Sequence, residues 1–305
     1  MIHITDEVVA SNTSATEVQR ALHASFQSLG RGAAALQERV RTQANGVKLS
    51  TLGAVLPEQG FVGAKIYTTI NGQFQFVILL FSADDGRPLA TLDAAAITRL
   101  RTAATTVLAA KALASQGPQT LAVFGAGQQG SEHIRQLCAA FDIERVLLVD
   151  PYASSTKALE LTQECGRPVE LTDAERAVKN SQMIVAASRS TTPLFSGTLI
   201  RPGAFVAAIG SSLPHTRELD DEALRRASRV VVDWRQQAMQ EAGDLVLADP
   251  ECLPESKVVE LSAVLTQPPL THSPTDITIY KSVGIGLQDI AIAGLVYARI
   301  TAQRT

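Results

Sequence analysis

Leu121-Ala122-Val123-Phe124-Gly125-Ala126-Gly127-Gln128-Gln129-Gly130 decides the fold. Four apolar residues read as a buried strand, and the G-x-G-x-x-G turn after them opens a helix expected near Ser131. Gly125 permits the tight turn, Gly127 lets the backbone approach a pyrophosphate, and Gly130 allows close helix–strand packing. Unpaired N–H groups at the helix start add partial positive charge where phosphates sit. Ala126, Gln128 and Gln129 complete this cofactor-binding turn. The next strand, Arg145 to Val149, leads into Asp150, 20 residues beyond Gly130. An acid there accepts hydrogen bonds from the ribose hydroxyls of NAD and repels the extra phosphate of NADP. NAD(H) is the preferred cofactor on this reading, and Ser154, Ser155, Thr156 and Lys157 keep NADP(H) open. The plainer alternative for Asp150 is a strand-end acid capping the loop at Pro151.

Downstream of Pro118 the pattern alternates strands with helical or loop segments. Strands are expected at Thr120–Phe124, Arg145–Val149, Val169–Leu171, Met183–Ala187, Phe205–Ile209 and Val230–Asp233. Such alternation gives a doubly wound parallel sheet covered on both faces. Upstream the texture differs. Val18, Leu22, Phe26 and Leu29 mark an amphipathic helix from about Ala15, capped by Ser14 or Thr16. Short β-rich pieces follow at Val40–Thr42, Lys48–Leu56, Gly63–Tyr67 and Phe74–Phe81, with Asn45-Gly46 and Asn71-Gly72 as tight turns. They read as an antiparallel meander. An Ala-rich helix beginning after Thr91 or Asp93 ends before Gly117-Pro118, and a last helix is expected at about Ser282 to Ala302.

Composition narrows the function classes. The chain has 305 residues, 46% apolar and 19% charged, which excludes disordered, fibrous and disulfide-stapled classes and suggests two domains. A net charge of −3 argues against a nucleic-acid partner. No basic n-region with an apolar h-region opens the chain, and no apolar run spans a bilayer, so no membrane association and a cytoplasmic location are expected. Cys138, Cys165 and Cys252 are odd in number and far apart, which fits a reducing compartment. His3, His23, His133, His215 and His272 have no ligand spacing, and no metal is expected. His215 alone lies where it borders a candidate site loop.

The first domain carries three notable cations. Arg41 precedes the Asn45-Gly46 turn, Lys65 lies in Gly63-Ala64-Lys65-Ile66-Tyr67, and Arg101 opens the Ala-rich helix on this reading. A lysine flanked by Gly, Ala and Ile is poorly explained as a solvated face, and burial near other cations lowers its pKa toward a useful range. Arg101 among small residues has a guanidinium free to clamp a carboxylate bidentately. The alternative for each is a surface cation with a snorkelling stem.

These segments, with Ile209-Gly210-Ser211-Ser212-Leu213-Pro214 through Arg217-Glu218-Leu219-Asp220, Val232-Asp233, Glu241-Ala242-Gly243-Asp244 and Tyr280-Lys281-Ser282-Val283-Gly284, occur in an order that resembles the ornithine cyclodeaminase/mu-crystallin family. The resemblance covers nearly the whole chain. It implies that Arg41 and Arg101 bind a substrate carboxylate, that Lys65 lies beside the reacting carbon, and that the protein is a homodimer. Thr102 and Ser188 join Gly125–Gly130 and Asp150 in the cofactor-binding set. It also implies a fold of an α/β Rossmann-type domain plus an α+β substrate-binding and dimerisation domain with an antiparallel sheet. The former takes residues 118–281, and the latter is discontinuous, residues 1–117 and 282–305.

Two departures select among the family's activities. Its cyclodeaminases carry an Asp two residues before the proline of the G-x-x-x-P segment, where this chain has Ser212, and a serine is no carboxylate base near neutral pH. Mu-crystallin-like ketimine reductases resemble the chain in having serine there, but lead their second nucleotide strand into Asn-Arg instead of Asp150. The expectation is an NAD(P)H-dependent reductase of a small cyclic imino acid, Δ1-pyrroline-2-carboxylate or its piperideine homologue, with Lys65 and Ser212 as catalytic residues. The alternatives are an L-alanine dehydrogenase-like oxidoreductase, an ornithine cyclodeaminase and a non-catalytic small-molecule binder. Asp289, in a helix where the family commonly has an acid, reads as a structural cap.

Overall fold

The computed structural model describes residues 1–267 and 273–303, so His272 lies outside the described residues. Contacts divide the chain into two units, 1–105 with 284–305, and 106–283.

The first unit begins with β1 (Ile2–Ile4), α1 (Asp6–Ser11) and α2 (Ala15–Gly30). Ser14 caps α2, its hydroxyl accepting from the Glu17 N–H while the Glu17 carboxylate accepts from the Ser14 N–H. Val18, Leu22 and Phe26 form its buried stripe. Next come β2 (Ala35–Leu36), β3 (Val40–Ala44), β4 (Val47–Leu56), β5 (Phe61–Ile70), β6 (Gln73–Ser82), β7 (Pro88–Asp93) and α3 (Ala95–Leu113). The β3–β4 and β5–β6 turns put Asn45, Gly46, Asn71 and Gly72 at positive φ, as tight Asn-Gly hairpins require. The sheet runs β1-β7-β6-β5-β4-β2, with β3 also on β4. It is mixed and not purely antiparallel, because β1 pairs parallel to β7. Three residues are too few to show a period, and Pro88 at the head of β7 masks that strand.

Helix α3 starts at Ala95, where the Asp6 carboxylate accepts the Ala96 N–H at 2.8 Å. Arg101 therefore lies well inside the helix instead of opening it. The division between the units falls within α3, after Thr105, whereas the sequence reading placed it at residue 117. The later half of α3 belongs with the second unit through Thr106, whose hydroxyl meets the Nε2 of buried His133 at 2.9 Å, and through the Leu113 carbonyl, which accepts from Thr278 Oγ1 at 3.3 Å. Burial pushes His133 down to about 4, so it is a neutral core histidine.

The second unit contains β8 (Gln119–Phe124), α4 (Gln128–Ala140), β9 (Ile143–Val149), α5 (Ser155–Cys165), β10 (Val169–Leu171), α6 (Ala174–Lys179), β11 (Met183–Ala186), β12 (Phe205–Ala208), α7 (Asp221–Arg226), β13 (Ala227–Val232), α8 (Arg235–Glu241), α9 (Gly243–Val246), β14 (Val258–Glu260), α10 (Leu261–Thr266) and β15 (Ile277–Lys281). The sheet is parallel throughout, in the order β10-β9-β8-β11-β12-β15-β13-β14. Strands β14 and β15 are additions to the sequence reading, and β15 is central, with all five residues buried. Strand order reverses between β8 and β11, the switch point outside whose carboxyl ends α/β sheets bind ligands.

The last helix, α11 (Gly286–Ala302), belongs to the first unit and packs on α2, β4, β5 and β6. No helix among the described residues is long and apolar enough to cross a membrane.

Candidate functional site

In the first unit, strand register sorts the cations by face. Arg41 on β3 opposes Ser50, which opposes Tyr67, which opposes Phe76. The next row inward on the same face is Leu52, Lys65 and Ile78. Arg41 and Lys65 thus share one face, with Arg41 half-buried and Lys65 only 3% exposed.

The Lys65 ammonium donates to Thr98 Oγ1 of α3 at 2.5 Å and to Asp289 Oδ1 of α11 at 3.2 Å, and it sits 4.5 Å from the centre of the Phe76 ring. Arg101 reaches the same Asp289 oxygen through Nε at 3.4 Å and donates through a terminal nitrogen to Gln288 Oε1 at 2.7 Å. Gly284 explains how the chain passes so close. Its φ is +76°, and a Cβ there would lie 2.7 Å from the Arg101 guanidinium. The Gly284 carbonyl accepts from the Arg39 guanidinium at 2.6 Å. Burial holds the Lys65 pKa down to about 8; Asp289 opposes the shift, and Arg101 adds to it.

Asp289 is therefore no cap. It is fully buried and joins Lys65 to Arg101. Arg39 and Gln288 were also missed. Arg39 lies just ahead of β3, two residues before Arg41, and the two cations in Arg39-Val40-Arg41 were the available signal. Thr102, next to Arg101, turns its hydroxyl onto the Thr98 carbonyl at 2.7 Å.

In the second unit the glycine turn leaves β8 as expected, but α4 starts at Gln128, three residues before Ser131, so Gln128 and Gln129 occupy its first turn. Gly127 is its N-cap, without side-chain capping. A Cβ on Gly130 would fall 1.8 Å from the Gly125 carbonyl oxygen, whereas one on Gly127 would meet nothing within 4 Å. Gly130 is thus required for packing, and the backbone at Gly127 stays open to a ligand. Asp150 does two things: Oδ2 accepts the Ala126 N–H at 2.6 Å, and Oδ1 accepts the Tyr152 N–H at 2.8 Å. It ties the glycine turn and caps its own loop while remaining partly exposed.

Ser188 follows β11 and Ser212 follows β12. The Ser188 N–H and hydroxyl both donate to Glu218 Oε1 at 2.7 Å. Ser212 is half-buried, and His215 is exposed. A cradle with one open glycine, helix N–H groups and a partly exposed strand-end acid fits a dinucleotide.

The glycine turn, the helix start and Asp150 define a protein of the dinucleotide-binding class. The chain belongs to the ornithine cyclodeaminase/mu-crystallin family, whose model matches residues 1–304. A Δ1-pyrroline-2-carboxylate reductase from Bacillus cereus is 32% identical over 267 residues, 86% of this chain and 79% of the relative. The crystal structure of a probable ornithine cyclodeaminase from Bordetella pertussis Tohama I is 57% identical, with a TM-score of 0.97 over 100% of this chain and 98% of that one. An archaeal alanine dehydrogenase dimer with bound NAD is 27% identical, with a TM-score of 0.91 over 99% and 97%.

Proposed function

We propose that this chain reduces a small cyclic imino acid, Δ1-pyrroline-2-carboxylate to proline first and the piperideine homologue to pipecolate next, with NADH preferred over NADPH. The observation that carries the reading is the buried group of Lys65, Arg101 and Asp289. Its formal charges sum to +1, and a buried uncompensated charge is costly. One carboxylate neutralises it. Arg41 and Arg101 offer the planar forks that suit that anion, and holding it fixes the C=N carbon in place. Lys65, with its pKa near 8, is mostly ammonium at neutral pH and donates to the imine or carboxylate region, steadying the proton at nitrogen. Ser212 contributes a small hydroxyl contact instead of a base.

Gly125, Ala126, Gly127, Gln128, Gln129 and Gly130 cradle the pyrophosphate, Asp150 takes the ribose, and Thr102 and Ser188 complete the cofactor contacts. When bound, the cofactor supplies the hydride that adds to the imine carbon, while the C=N electron pair moves to nitrogen and takes a proton. The Bacillus cereus relative supports this substrate. The probable cyclodeaminase at 57% identity favours a second reading, a lyase on ornithine, against which Ser212 stands.

The test follows NADH and NADPH oxidation with Δ1-pyrroline-2-carboxylate and with pyruvate plus ammonium, alongside ammonia release from ornithine. NADH-dependent turnover of the pyrroline supports the proposal. Pyruvate turnover alone makes the enzyme an alanine dehydrogenase, and ammonia release without net NADH use makes it a cyclodeaminase.

The protein is a homodimer on this proposal. Val47, Leu49 and Val55 alternate on one face of β4, with Ile70 paired to Val47, and each is at least 41% exposed. A second copy covers such an apolar face. Sedimentation at micromolar concentration gives a dimer, and a 32.4 kDa species contradicts it. A cytoplasmic location is part of this proposal, supported by the absence of a disulfide among Cys138, Cys165 and Cys252.

A further inference from the structure

Glu218 has no exposed surface, yet its carboxylate accepts four hydrogen bonds from two loops. Oε1 takes the Ser188 N–H and hydroxyl, both at 2.7 Å, from the loop after β11. Oε2 takes the Gly210 N–H at 2.7 Å and the Ser211 N–H at 3.1 Å from the loop after β12. Four bonds match the four lone-pair sites of a carboxylate, so it is saturated. The loops themselves touch, since a Cβ on Gly210 would fall 2.1 Å from the Ser188 carbonyl oxygen.

Glu218 is itself held. Its N–H and that of Leu219 donate to Asp244 Oδ1 at 2.6 and 2.8 Å, and Asp244 Oδ2 pairs with Lys281 at the end of β15 at 2.7 Å. One buried chain of charge thus sets the spacing of three strand ends, at the carboxyl edge where this sheet class binds its ligand.

We propose that Glu218 is a positioning residue of the nicotinamide half of the cofactor site, fixing the Ser188 loop against the Gly210–Ser212 loop. This rests on the reading that the chain binds NAD(H), with Ser188 in contact with it. Glu218 acts through those loops; the backbone of Gly125 packs on Ala187 and Ser188, but Asp150, on the adenosine side, is held separately by the Ala126 and Tyr152 N–H groups.

The test compares NADH with ADP-ribose, which lacks the nicotinamide, by titration calorimetry on the full chain. Glu218→Gln keeps the shape but replaces one acceptor oxygen with an NH2 donor, which opposes the Ser188 N–H in one orientation and the Gly210 and Ser211 N–H groups in the other, and so loosens one loop. Glu218→Asp keeps the charge beside Lys281 and shortens the reach. Each variant weakens NADH binding about tenfold, the equivalent of one charged hydrogen bond, and leaves ADP-ribose affinity unchanged. Equal weakening of both ligands, or of neither, overturns the proposal, as does failure of both variants to fold, which assigns Glu218 to the scaffold alone. A wild-type chain that binds ADP-ribose but not NADH overturns it as well. Binding of neither ligand to the wild type overturns the cofactor reading beneath it.

Discussion

Each unit of this protein buries a lysine against an aspartate, and the two arrangements differ in what they leave over. Lys281 meets Asp244 at 2.7 Å with neither side chain exposed, and the neighbouring Glu218 is saturated by loop donors. That group has two acids for one cation, and surrounding N–H groups absorb the excess negative charge. Lys65 meets Asp289 at 3.2 Å, but Arg101 shares the same oxygen, so two cations compete for one acid. A buried group whose one cation is outnumbered by acids has no positive charge to offer an anion and is a scaffold. A buried group with cationic donors in surplus is arranged for an anion that comes and goes.

The comparison breaks most readily at Lys65. Lys65→Met lowers kcat by about a thousandfold or more while NADH affinity stays within about twofold, because the lysine serves the reacting centre. Near-normal turnover in that variant removes Lys65 from the mechanism. Lys281→Met tests the other side. Stranding Asp244 and Glu218 costs about 3–5 kcal/mol of folding stability, read as a lowered denaturation midpoint, and an unchanged midpoint contradicts its scaffold role.

Arg101→Leu raises the substrate KM about a hundredfold, as loss of a hydrogen-bonded charge partner does, and an unchanged KM removes the carboxylate clamp. Asp150→Ser lowers the NADH over NADPH preference in kcat/KM about tenfold or more by removing the acid that repels a 2′-phosphate. A preference that stays put reduces Asp150 to its bonds with Ala126 and Tyr152.

The smallest effect sharpens the comparison through pH. Lys65 is protonated below its pKa of about 8, so kcat/KM for imine reduction falls as pH rises through that value. Asp289 favours the ammonium form and raises this pKa, so Asp289→Asn moves the falling limb to lower pH. A limb that stays in place means that another group controls it.

Much of this was legible in the sequence, and the omissions have physical causes. The glycine turn, its helix and Asp150 form a local pattern, and only the helix start was displaced, from Ser131 to Gln128. The Asn-Gly hairpins were legible because their residue types dictate backbone angles. The β1 strand was hidden because its partner β7 lies far along the chain, and pairing of that kind leaves no local period. Central β15, Ile277-Thr278-Ile279-Tyr280-Lys281, was passed over because its neighbours β12 and β13 are also remote in sequence.

At the site, Lys65 stood out because its small apolar neighbours make a solvated face a poor explanation. Asp289 did not, because its partners Lys65 and Arg101 are 224 and 188 residues away and meet it only when α11 returns to the first unit. In the sequence Glu218 belongs to Arg217-Glu218-Leu219-Asp220, where nothing local assigns it a role. Its hydrogen-bond donors are backbone N–H groups and a serine hydroxyl, and the cation beside it, Lys281, lies far along the chain, so no local charge pattern marks it.

The central claim is that hydride reaches the carbon of a carboxylate-anchored imine, and isotope transfer tests it most directly. With NADH carrying deuterium at both C4 positions and Δ1-pyrroline-2-carboxylate as substrate, the account predicts proline with one deuterium at Cα, formed one for one with NADH consumed. Unlabelled proline, or NADH left unconsumed in the presence of the pyrroline, would contradict it.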